Sequence, residues 1–418
     1  MKFVKSVSIV GILFLAACAH KPTDRVEGLT YVGLADGNTS FVRTIAPKNT
    51  QCPEARVFKG AEESGLSLTQ NKFDSTVVCE AALPEGTTAV VVGERRIQIP
   101  ATPKRIIVFG DTGCRLKGEY FQDCNNPNEW PFLKIVKAIQ QEQADLIIHV
   151  GDYHYRETCK DPVKCAPFKD TLGYGYRPWE ADFLYPAASL LQSTPFLFVR
   201  GNHEDCQRAH EGFSKLLTPL GENACPKFQD TRYTKFGSLL IVNFDNATLP
   251  DMNVDPKGAE MAMWREHYRK MIEQIKSRPE TEVWVVLHRP IWGLSPNWNG
   301  PAAVLPVNLT MQLLAKEMPF PKKVKFVFAG HIHNTQVAAG NKRPVHVVVG
   351  EGGTALDYYD AATRKLIPPG FSVLPSTHGY MVLEQDAKNQ WVGTVKDAEG
   401  KANFKCSLEQ PQAPCTPQ

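Results

Sequence analysis

The feature that most constrains the fold is a series of short apolar segments that alternate with amphipathic segments from Arg105 onward. Apolar runs bounded by turn residues are typical of buried strands, and longer amphipathic segments are typical of surface helices. Seven segments are predicted strands: RIIVFGD, DLIIHVGD, PFLFVRGN, SLLIVNFD, EVWVVLH, VKFVFAGH and VHVVVGEG. Five are predicted helices: Trp130–Gln143, Glu180–Gln192, Gln207–Leu217, Gly258–Lys276 and Val307–Lys316. Strands that alternate with helices predict an α/β fold with largely parallel pairing.

The part of the chain before this series has a different pattern. Short β-prone runs such as YVGLA and SFVRTIA are separated by Gly, Pro and Asn turns, with no helix signal between them. We therefore expect a tether and a small sandwich-like β domain over residues 19–100, followed by a larger α/β domain over residues 101–418. The segment Pro100–Lys104 is the predicted linker, and the tail after Gly379 again resembles short strands.

Residues 1–18 predict a bacterial lipoprotein signal peptide. Two lysines precede the apolar stretch Val7–Phe14, which is too short to span a bilayer comfortably. The sequence LAAC at Leu15–Cys18 resembles a lipobox, in which Cys18 would be lipidated. The alternative is an ordinary secretory signal that is cleaved near this cysteine. With Ala19 next to a lipid anchor, we expect an outer-membrane lipoprotein that faces the periplasm or the exterior of a Gram-negative bacterium.

The cysteines fit an exported protein. Ten remain when Cys18 is set aside, and an even number in an oxidising compartment predicts disulfides. Their spacing favours pairs of sequence neighbours: Cys52–Cys79, Cys114–Cys124, Cys159–Cys165, Cys206–Cys225 and Cys406–Cys415. A cysteine-based zinc site is the weaker interpretation, because the chain has no paired C-x-x-C motif.

The charge of the chain argues against one class of partner. The 418 residues include 47 basic and 44 acidic side chains, which gives a net charge of +3. Basic side chains do not form a block, so a nucleic-acid groove is not indicated, and no protein partner can be inferred.

Polar side chains follow five of the predicted strands at the point where each strand ends. The endings read GDTG, GDYHY, GNHE, LH and GHIH. In open α/β sheets, sites form outside the carboxyl ends of the strands. The endings present seven oxygen and imidazole donors: Asp111, Asp152, Tyr155, Asn202, His288, His331 and His333.

These donors predict a metal site of two ions. Oxygen and imidazole ligands suit Fe, Mn or Zn, and seven donors are too many for one tetrahedral ion. Asp152 is the natural bridge, because donors lie on both sides of it in the series. Residues i and i+2 of an extended chain point the same way, so His331 and His333 can reach adjacent ions. Asp152 and Tyr155 are three residues apart, which requires the chain to bend just past its strand.

The five endings, in this order, resemble the calcineurin-like metallophosphoesterase superfamily. The pattern DxG, GDxxY, GNH[D/E], VxxH and GHxH is that of purple acid phosphatases, and VVLH at Val285–His288 matches its fourth element. The resemblance implies a sandwich of central β-sheets flanked by helices, preceded by a small β domain. The chain departs from the plant-type pattern after GHIH, where it reads NTQ; this bears on the substrate rim and on an acid pH optimum.

The resemblance also implies two ligand sets that share Asp152. The first would hold Fe(III): Asp111, Asp152, Tyr155 and His333. The second would hold divalent Fe, Zn or Mn: Asp152, Asn202, His288 and His331. A Tyr155 phenolate bound to Fe(III) would colour the protein, whereas a Tyr155 that only packs would leave a colourless Mn or Zn enzyme.

The implied activity is hydrolysis of small phosphate monoesters by a metal-activated hydroxide. His203 resembles the substrate-facing histidine of the family, and it would stabilise the phosphoryl group or protonate the leaving alkoxide. His154 is a possible substrate contact, while Arg200 and Arg289 would either grip phosphate or form salt bridges. One metal core serves several reactions, so phosphodiesterase or nucleotidase action stays open. A non-catalytic envelope lipoprotein is disfavoured by the intact ligand set.

Overall fold

The computed structural model describes residues 28–418 except 38, 47, 75, 220–223, 252–254, 298–299, 341–342 and 411. The predicted signal peptide and lipidated Cys18 therefore lie outside the described residues. Within the described part, none of the helices is long and apolar enough to cross a membrane.

The elements follow one another along the chain as numbered here. The strands of the N-terminal part are β1 Leu29–Leu34, β2 Ser40–Ala46, β3 Ala55–Lys59, β4 Glu62–Leu66, β5 Thr69–Phe73, β6 Thr76–Leu83, β7 Ala89–Val92 and β8 Arg95–Gln98. The later strands are β9 Arg105–Phe109, β10 Leu116–Lys117, β11 Tyr120–Phe121, β12 Leu146–His149, β13 Phe196–Phe198, β14 Arg232–Phe236, β15 Leu239–Asn243, β16 Glu282–Val286, β17 Leu294–Pro296, β18 Val304–Pro306, β19 Val324–Ala329, β20 Thr335–Ala338, β21 Val345–Val349, β22 Phe371–Val373, β23 Gly379–Gln385, β24 Trp391–Asp397, β25 Ala402–Ser407 and β26 Cys415–Pro417. The helices are α1 Phe132–Gln141, α2 Tyr176–Trp179, α3 Ala188–Leu191, α4 His210–Leu216, α5 Ala259–Ser277, α6 Leu309–Glu317 and α7 Ala361–Arg364.

Two large sheets form the centre of the molecule. Among the described residues, the first has the order β26-β25-β24-β23-β9-β12-β13-β1-β2-β6-β5 and the second the order β14-β15-β16-β19-β21-β20-β22. The predicted parallel pairing is found in the middle of each sheet, between β9, β12 and β13 and between β15, β16, β19 and β21.

Alternation along the strands explains why the two sheets pack face to face. On β9, Ile106 and Val108 point into a core shared with the second sheet, whereas Ile107 and Phe109 point to the opposite face. Trp284 and Val286 of β16 join the same shared core. Helices α1, α3 and α4 cover the outer face of the first sheet, and α5 and α6 cover that of the second. The predicted sandwich of β-sheets flanked by helices is thus confirmed.

The N-terminal part is rich in strands, as predicted, and it continues the first sheet. Strand β1 lies parallel to β13 through the pair Gly33 and Phe196, and β2, β6 and β5 extend the sheet outward. A second sheet, β4-β3-β7-β8, packs on this extension through residues such as Val42 and Val57. The domain boundary at residue 100 stays a prediction.

All five disulfides predicted from spacing are present: Cys52–Cys79, Cys114–Cys124, Cys159–Cys165, Cys206–Cys225 and Cys406–Cys415. Two of them follow strand ends. Cys114–Cys124 closes the segment that carries the β10–β11 hairpin, and Cys206–Cys225 encloses α4. Cross-links of this kind stabilise chiefly by restricting the unfolded chain.

Candidate metal centre

The centre lies where the parallel strands of both sheets end. Phe109, His149 and Phe198 are in register at the ends of β9, β12 and β13, so the loops that follow them start side by side. The ends of β16 and β19 meet in the same way in the second sheet. The carboxyl ends of both sheets therefore deliver their polar side chains to one place.

Three of the predicted donors have a left-handed backbone. The φ angles are 57° at Asp111, 58° at Asp152 and 72° at His331. This conformation is uncommon for residues other than glycine, and such residues cluster at functional sites because the surrounding structure holds them there. Each lies two or three residues after the last residue of its strand, so the strained backbone is in the loop that delivers the side chain.

Glycines before the donors allow the loops to approach one another closely. A Cβ on Gly330 would lie 2.5 Å from Asp111 Oδ2, and a Cβ on Gly151 would lie 2.6 Å from His288 Nδ1. Gly151 also has a φ of 98°. Both positions therefore need glycine for space, and Gly151 needs it for its backbone as well.

One group of donors surrounds the phenol of Tyr155. Its oxygen lies 2.7 Å from Asp152 Oδ2, 3.3 Å from Asp111 Oδ1 and 3.1 Å from His333 Nε2. All four side chains are buried. The bend that the spacing of Asp152 and Tyr155 requires is therefore present, and the residues predicted for the first ion lie together.

The second group lies on the other side of Asp152. His288 Nε2 is 3.0 Å from Asn202 Oδ1 and 3.3 Å from Asp152 Oδ2. Donor atoms of Asp152, His288 and His331 all lie within 4.8 Å of one another. Asp152 is the member common to both groups, which is the position that a bridging carboxylate occupies.

The electrostatics of these donors fit cations. Burial and the charge of Asp152 raise the pKa of Asp111 well above its usual value, and burial with both carboxylates does the same for the pKa of Tyr155. Burial also opposes ionisation of Asp152, but the His288 and His203 imidazoles outweigh it and hold its pKa well below the usual range. When ionised, buried acidic oxygens this close repel one another unless a cation lies between them, so the donor set fits metal ions.

Hydrogen bonds to the rings orient the three histidines. His288 Nδ1 lies 2.8 Å from the Val150 carbonyl oxygen, and His333 Nδ1 lies 2.8 Å from the Ala355 carbonyl oxygen. In both rings the Nε2 atom faces the donor group. His331 is held by Nε2, which lies 2.9 Å from Asp251 Oδ1. Partners of this kind select the ring nitrogen that is free to bind a metal.

Two buried carboxylates hold the loop that carries Asp152 and Tyr155. Glu204 accepts from the backbone N–H groups of Gly201 and of residues 152–154, and Asp182 accepts from those of Cys114, Tyr155 and Arg156. Burial and the charge of Asp152 raise the pKa of Glu204 well above its usual value. Neither role was predicted from the sequence. GNHE contains Glu204, but Asp182 has no local signal.

His203 faces the cavity from beside Asn202. Its Nδ1 lies 2.5 Å from Glu157 Oε1, and its ring lies against that of Tyr155 with 3.8 Å between the ring centroids. Its Nε2 is 4.0 Å from Asp152 Oδ2. Burial lowers the pKa of His203 to about 4, against the opposing effects of Asp152 and Glu157. Glu157 is a further residue that sequence reasoning missed.

The structure corrects the prediction for His154. This side chain is fully buried and packs between Tyr174 and Trp179, with 5.7 Å from its ring centroid to each of theirs. It is not part of the cavity lining, so the structure does not bring it to the substrate site. Of the two roles predicted for Arg200, the structure shows the salt bridge: its guanidinium lies 3.2 Å from Asp245 Oδ2.

A cavity of about 710 Å³ opens over the centre. Its floor includes Asp152, Tyr155, Asn202 and His203. Its walls are formed by residues 115, 120–122, 295, 305–307, 331–333 and 355–357, with Asp251 at the edge. The volume is that of a small-molecule site.

Comparison with known proteins agrees with this geometry. The profile of the calcineurin-like phosphoesterase family matches residues 104–335, more than half of the chain, and the chain belongs to that family. It is therefore a metal-dependent phosphoric ester hydrolase with a centre for two metal ions. No curated protein sequence matches the chain significantly.

Solved structures share the fold at low sequence identity. A purple acid phosphatase, PPD1 from seeds of yellow lupin (Lupinus luteus), is 14% identical with a TM-score of 0.58, and the match covers 90% of this chain and 72% of that one. PhoD is 10% identical with a TM-score of 0.56, and the match covers 94% of this chain and 93% of that one. At these identities the likeness concerns the fold alone.

Proposed function

We propose that the protein is a phosphomonoesterase of the purple acid phosphatase type, with Fe(III) beside a divalent Fe, Zn or Mn ion. The observation that carries this proposal is the phenol of Tyr155 within 3.3 Å of oxygens of Asp111 and Asp152 and 3.1 Å from His333. A phenol there adds a third acidic oxygen to the first donor group. Hard, anionic oxygen donors favour a trivalent ion over the softer divalent ones.

The residues of the chain divide the work of hydrolysis. Two cations would supply charge neutralisation at the phosphoryl oxygens and a lowered pKa of bound water. His203, whose Nδ1 lies beside Glu157, directs Nε2 toward the floor of the cavity, where the ring contacts the phosphoryl group of the substrate. The surrounding walls orient a small phosphorylated substrate over Asp152.

We further propose that the enzyme is exported and lipid-anchored at Cys18, as an outer-membrane lipoprotein. The support is the LAAC sequence after a short apolar stretch, together with five disulfides, which persist in oxidising compartments. Lipid labelling tests the anchor. We expect the labelled lipid to be attached to the wild-type protein and absent from Cys18→Ala.

Metal analysis with a visible absorption spectrum tests the main proposal. We expect two metal ions per chain, one of them iron, and a broad visible band that Tyr155→Phe removes. Chelation of the metals should abolish hydrolysis. Tyr153→Phe is the matched control, because the Tyr153 hydroxyl bonds the Val199 carbonyl oxygen at 3.0 Å and stays outside the donor groups.

Three results would contradict the proposal. If the protein were colourless and held only Mn or Zn, it would not be of the purple acid phosphatase type. Faster release of the alcohol from diesters than from monoesters would identify a phosphodiesterase instead of a phosphomonoesterase. Full hydrolysis in Asp152→Ala would show that this metal centre does not catalyse the reaction.

A further inference from the structure

Arg115 stands out among the residues that line the cavity. It precedes β10, and its backbone N–H donates to Gln122 Oε1 at 2.7 Å. The disulfide of the adjacent Cys114 to Cys124 closes the same segment. The guanidinium carbon lies 4.9 Å from the ring centroid of Tyr120 on β11. Arg115 is thus held on a braced hairpin at the wall of the cavity, where Asp152 and Tyr155 form the floor.

Its charge lacks the partner that other arginines near the centre have. Each of these forms an ion pair with a carboxylate: Arg156 with Asp182, Arg200 with Asp245, Arg208 with Asp205 and Arg289 with Asp251. Within the described residues, Arg115 has no such carboxylate, and its Nε atom is buried without a hydrogen-bond partner. An Arg side chain with free donors at a cavity wall is suited to binding a phosphate group.

The mouth of the cavity beside Arg115 is apolar. Tyr120 on the β10–β11 hairpin is 64% exposed, and Leu305 on the β17–β18 hairpin is 47% exposed. Phe121 and Leu356 also line the cavity. Large apolar side chains that remain exposed around a polar floor are typical of a binding site, because burying them in a complex is favourable.

We propose that Arg115 binds the non-bridging oxygens of the substrate phosphate, and that the mouth around Tyr120 and Leu305 selects monoesters whose alcohol part is aromatic or apolar. The inference rests on the proposed phosphomonoesterase function and names its substrate class. A monoester phosphate is a dianion and a diester phosphate a monoanion, so the Arg115 charge favours the monoester.

Titration calorimetry of the metal-loaded enzyme with inorganic phosphate tests the role of Arg115. We expect Arg115→Gln to weaken phosphate binding about tenfold or more, as loss of a charge-assisted hydrogen bond does, and Arg115→Lys to weaken it less. The KM for phenyl phosphate should rise in parallel while kcat and metal content change little. Arg56→Gln is the control, since Arg56 is exposed on β3 and pairs with Glu63.

The selectivity of the mouth is tested by the same steady-state kinetics with two monoesters that differ in their alcohol part, phenyl phosphate and glycerol phosphate. Leu305→Ala should raise the KM for phenyl phosphate several-fold and leave that for glycerol phosphate unchanged, because Leu305 lies on β18, away from the hairpin that holds Arg115. Leu366→Ala, at an exposed leucine outside the cavity lining, should change neither.

Unchanged phosphate affinity in Arg115→Gln would overturn the role of Arg115, and equal rises in both KM values in Leu305→Ala, or no rise in either, would overturn the role of the mouth. If the wild-type enzyme hydrolysed no monoester, the proposed function would fail instead. The phosphate titration would still decide whether Arg115 binds phosphate, so the two failures are distinguishable.

Discussion

Asp152 shows how many constraints a single residue of the centre satisfies. Its backbone is left-handed, its Oδ1 accepts from the His203 N–H at 2.8 Å, and its Oδ2 accepts from the Tyr155 hydroxyl at 2.7 Å. The preceding Gly151 makes this geometry possible, because its missing Cβ leaves room for the His288 ring. Backbone strain and close packing therefore coincide at one peptide unit.

Alanine substitutions at two glycines separate these two effects. Gly151 has a φ of 98° and Gly173 a φ of 96°, but a Cβ on Gly173 would meet nothing within 4 Å. We expect Gly173→Ala to lower the free energy of unfolding by about 1 kcal/mol through backbone strain alone. Gly151→Ala should cost more and should also lose bound metal, because the added Cβ displaces His288. Denaturant unfolding and metal analysis measure both, and equal losses in the two variants would contradict the argument.

The donors themselves could be predicted from the sequence, but their supports could not. Each donor follows an apolar run, which is a local signal, and the structure brings all seven together. Asp182, Glu157 and Asp251 reach the centre from segments that are distant in the chain or carry no pattern. His154 was misplaced for a related reason, because neighbours in a tight bend point in different directions, and sequence adjacency to two donors does not establish a shared direction.

Among the elements, the β10–β11 hairpin links the cross-links of the chain to the site. It carries Arg115 and Tyr120 to the cavity wall, and the disulfide Cys114–Cys124 closes its base. Another short disulfide loop, Cys406–Cys415, joins β25 and β26 at the far edge of the first sheet. The two loops have sequence separations of 10 and 9, so their removal should release similar chain entropy.

Removal of each disulfide by paired alanine substitutions tests the role of the hairpin. Both double variants should lose about 3 kcal/mol of unfolding free energy, as expected for loops of this length. Only Cys114→Ala with Cys124→Ala should also raise the KM for phosphate monoesters, because the hairpin then no longer holds Arg115 in place. Unfolding curves and steady-state kinetics measure the two effects. A KM that changes equally in both variants, or in neither, would exclude a bracing role for Cys114–Cys124.

Periodicity along the chain predicted nearly all of the large elements, but it did not predict how the strands divide. The seven predicted strands correspond to β9, β12, β13, β15, β16, β19 and β21, and all are found. Their assignment to two sheets depends on which faces meet, as at Ile106 and Val286. The pairing of β1 with β13 joins segments more than 160 residues apart, and such long-range pairing has no local signature.

Glu351 connects the two halves of the whole molecule. Its side chain bonds the Thr335 hydroxyl on β20 of the second sheet, and its backbone oxygen accepts from the N–H of Gly379 at 3.0 Å on β23 of the first. It is 1% exposed, and its Oε2 atom has no partner among the described residues. Burial raises the pKa of Glu351 to about 7, so the carboxyl group is neutral in the folded protein under mildly acidic conditions.

Glu351 should therefore contribute to the pH dependence of global stability. A carboxyl with a raised pKa in the folded state binds its proton more tightly there than in the unfolded chain. Its contribution is complete below about pH 4.5, the ordinary pKa of a glutamate, and is lost as the pH rises through about 7. We expect wild-type protein to lose about 3 kcal/mol more unfolding free energy between pH 4.5 and pH 8 than Glu351→Gln does. Urea unfolding across this range, with disulfides intact, measures the difference, and parallel pH profiles for the two proteins would show that Glu351 stays ionised in the core.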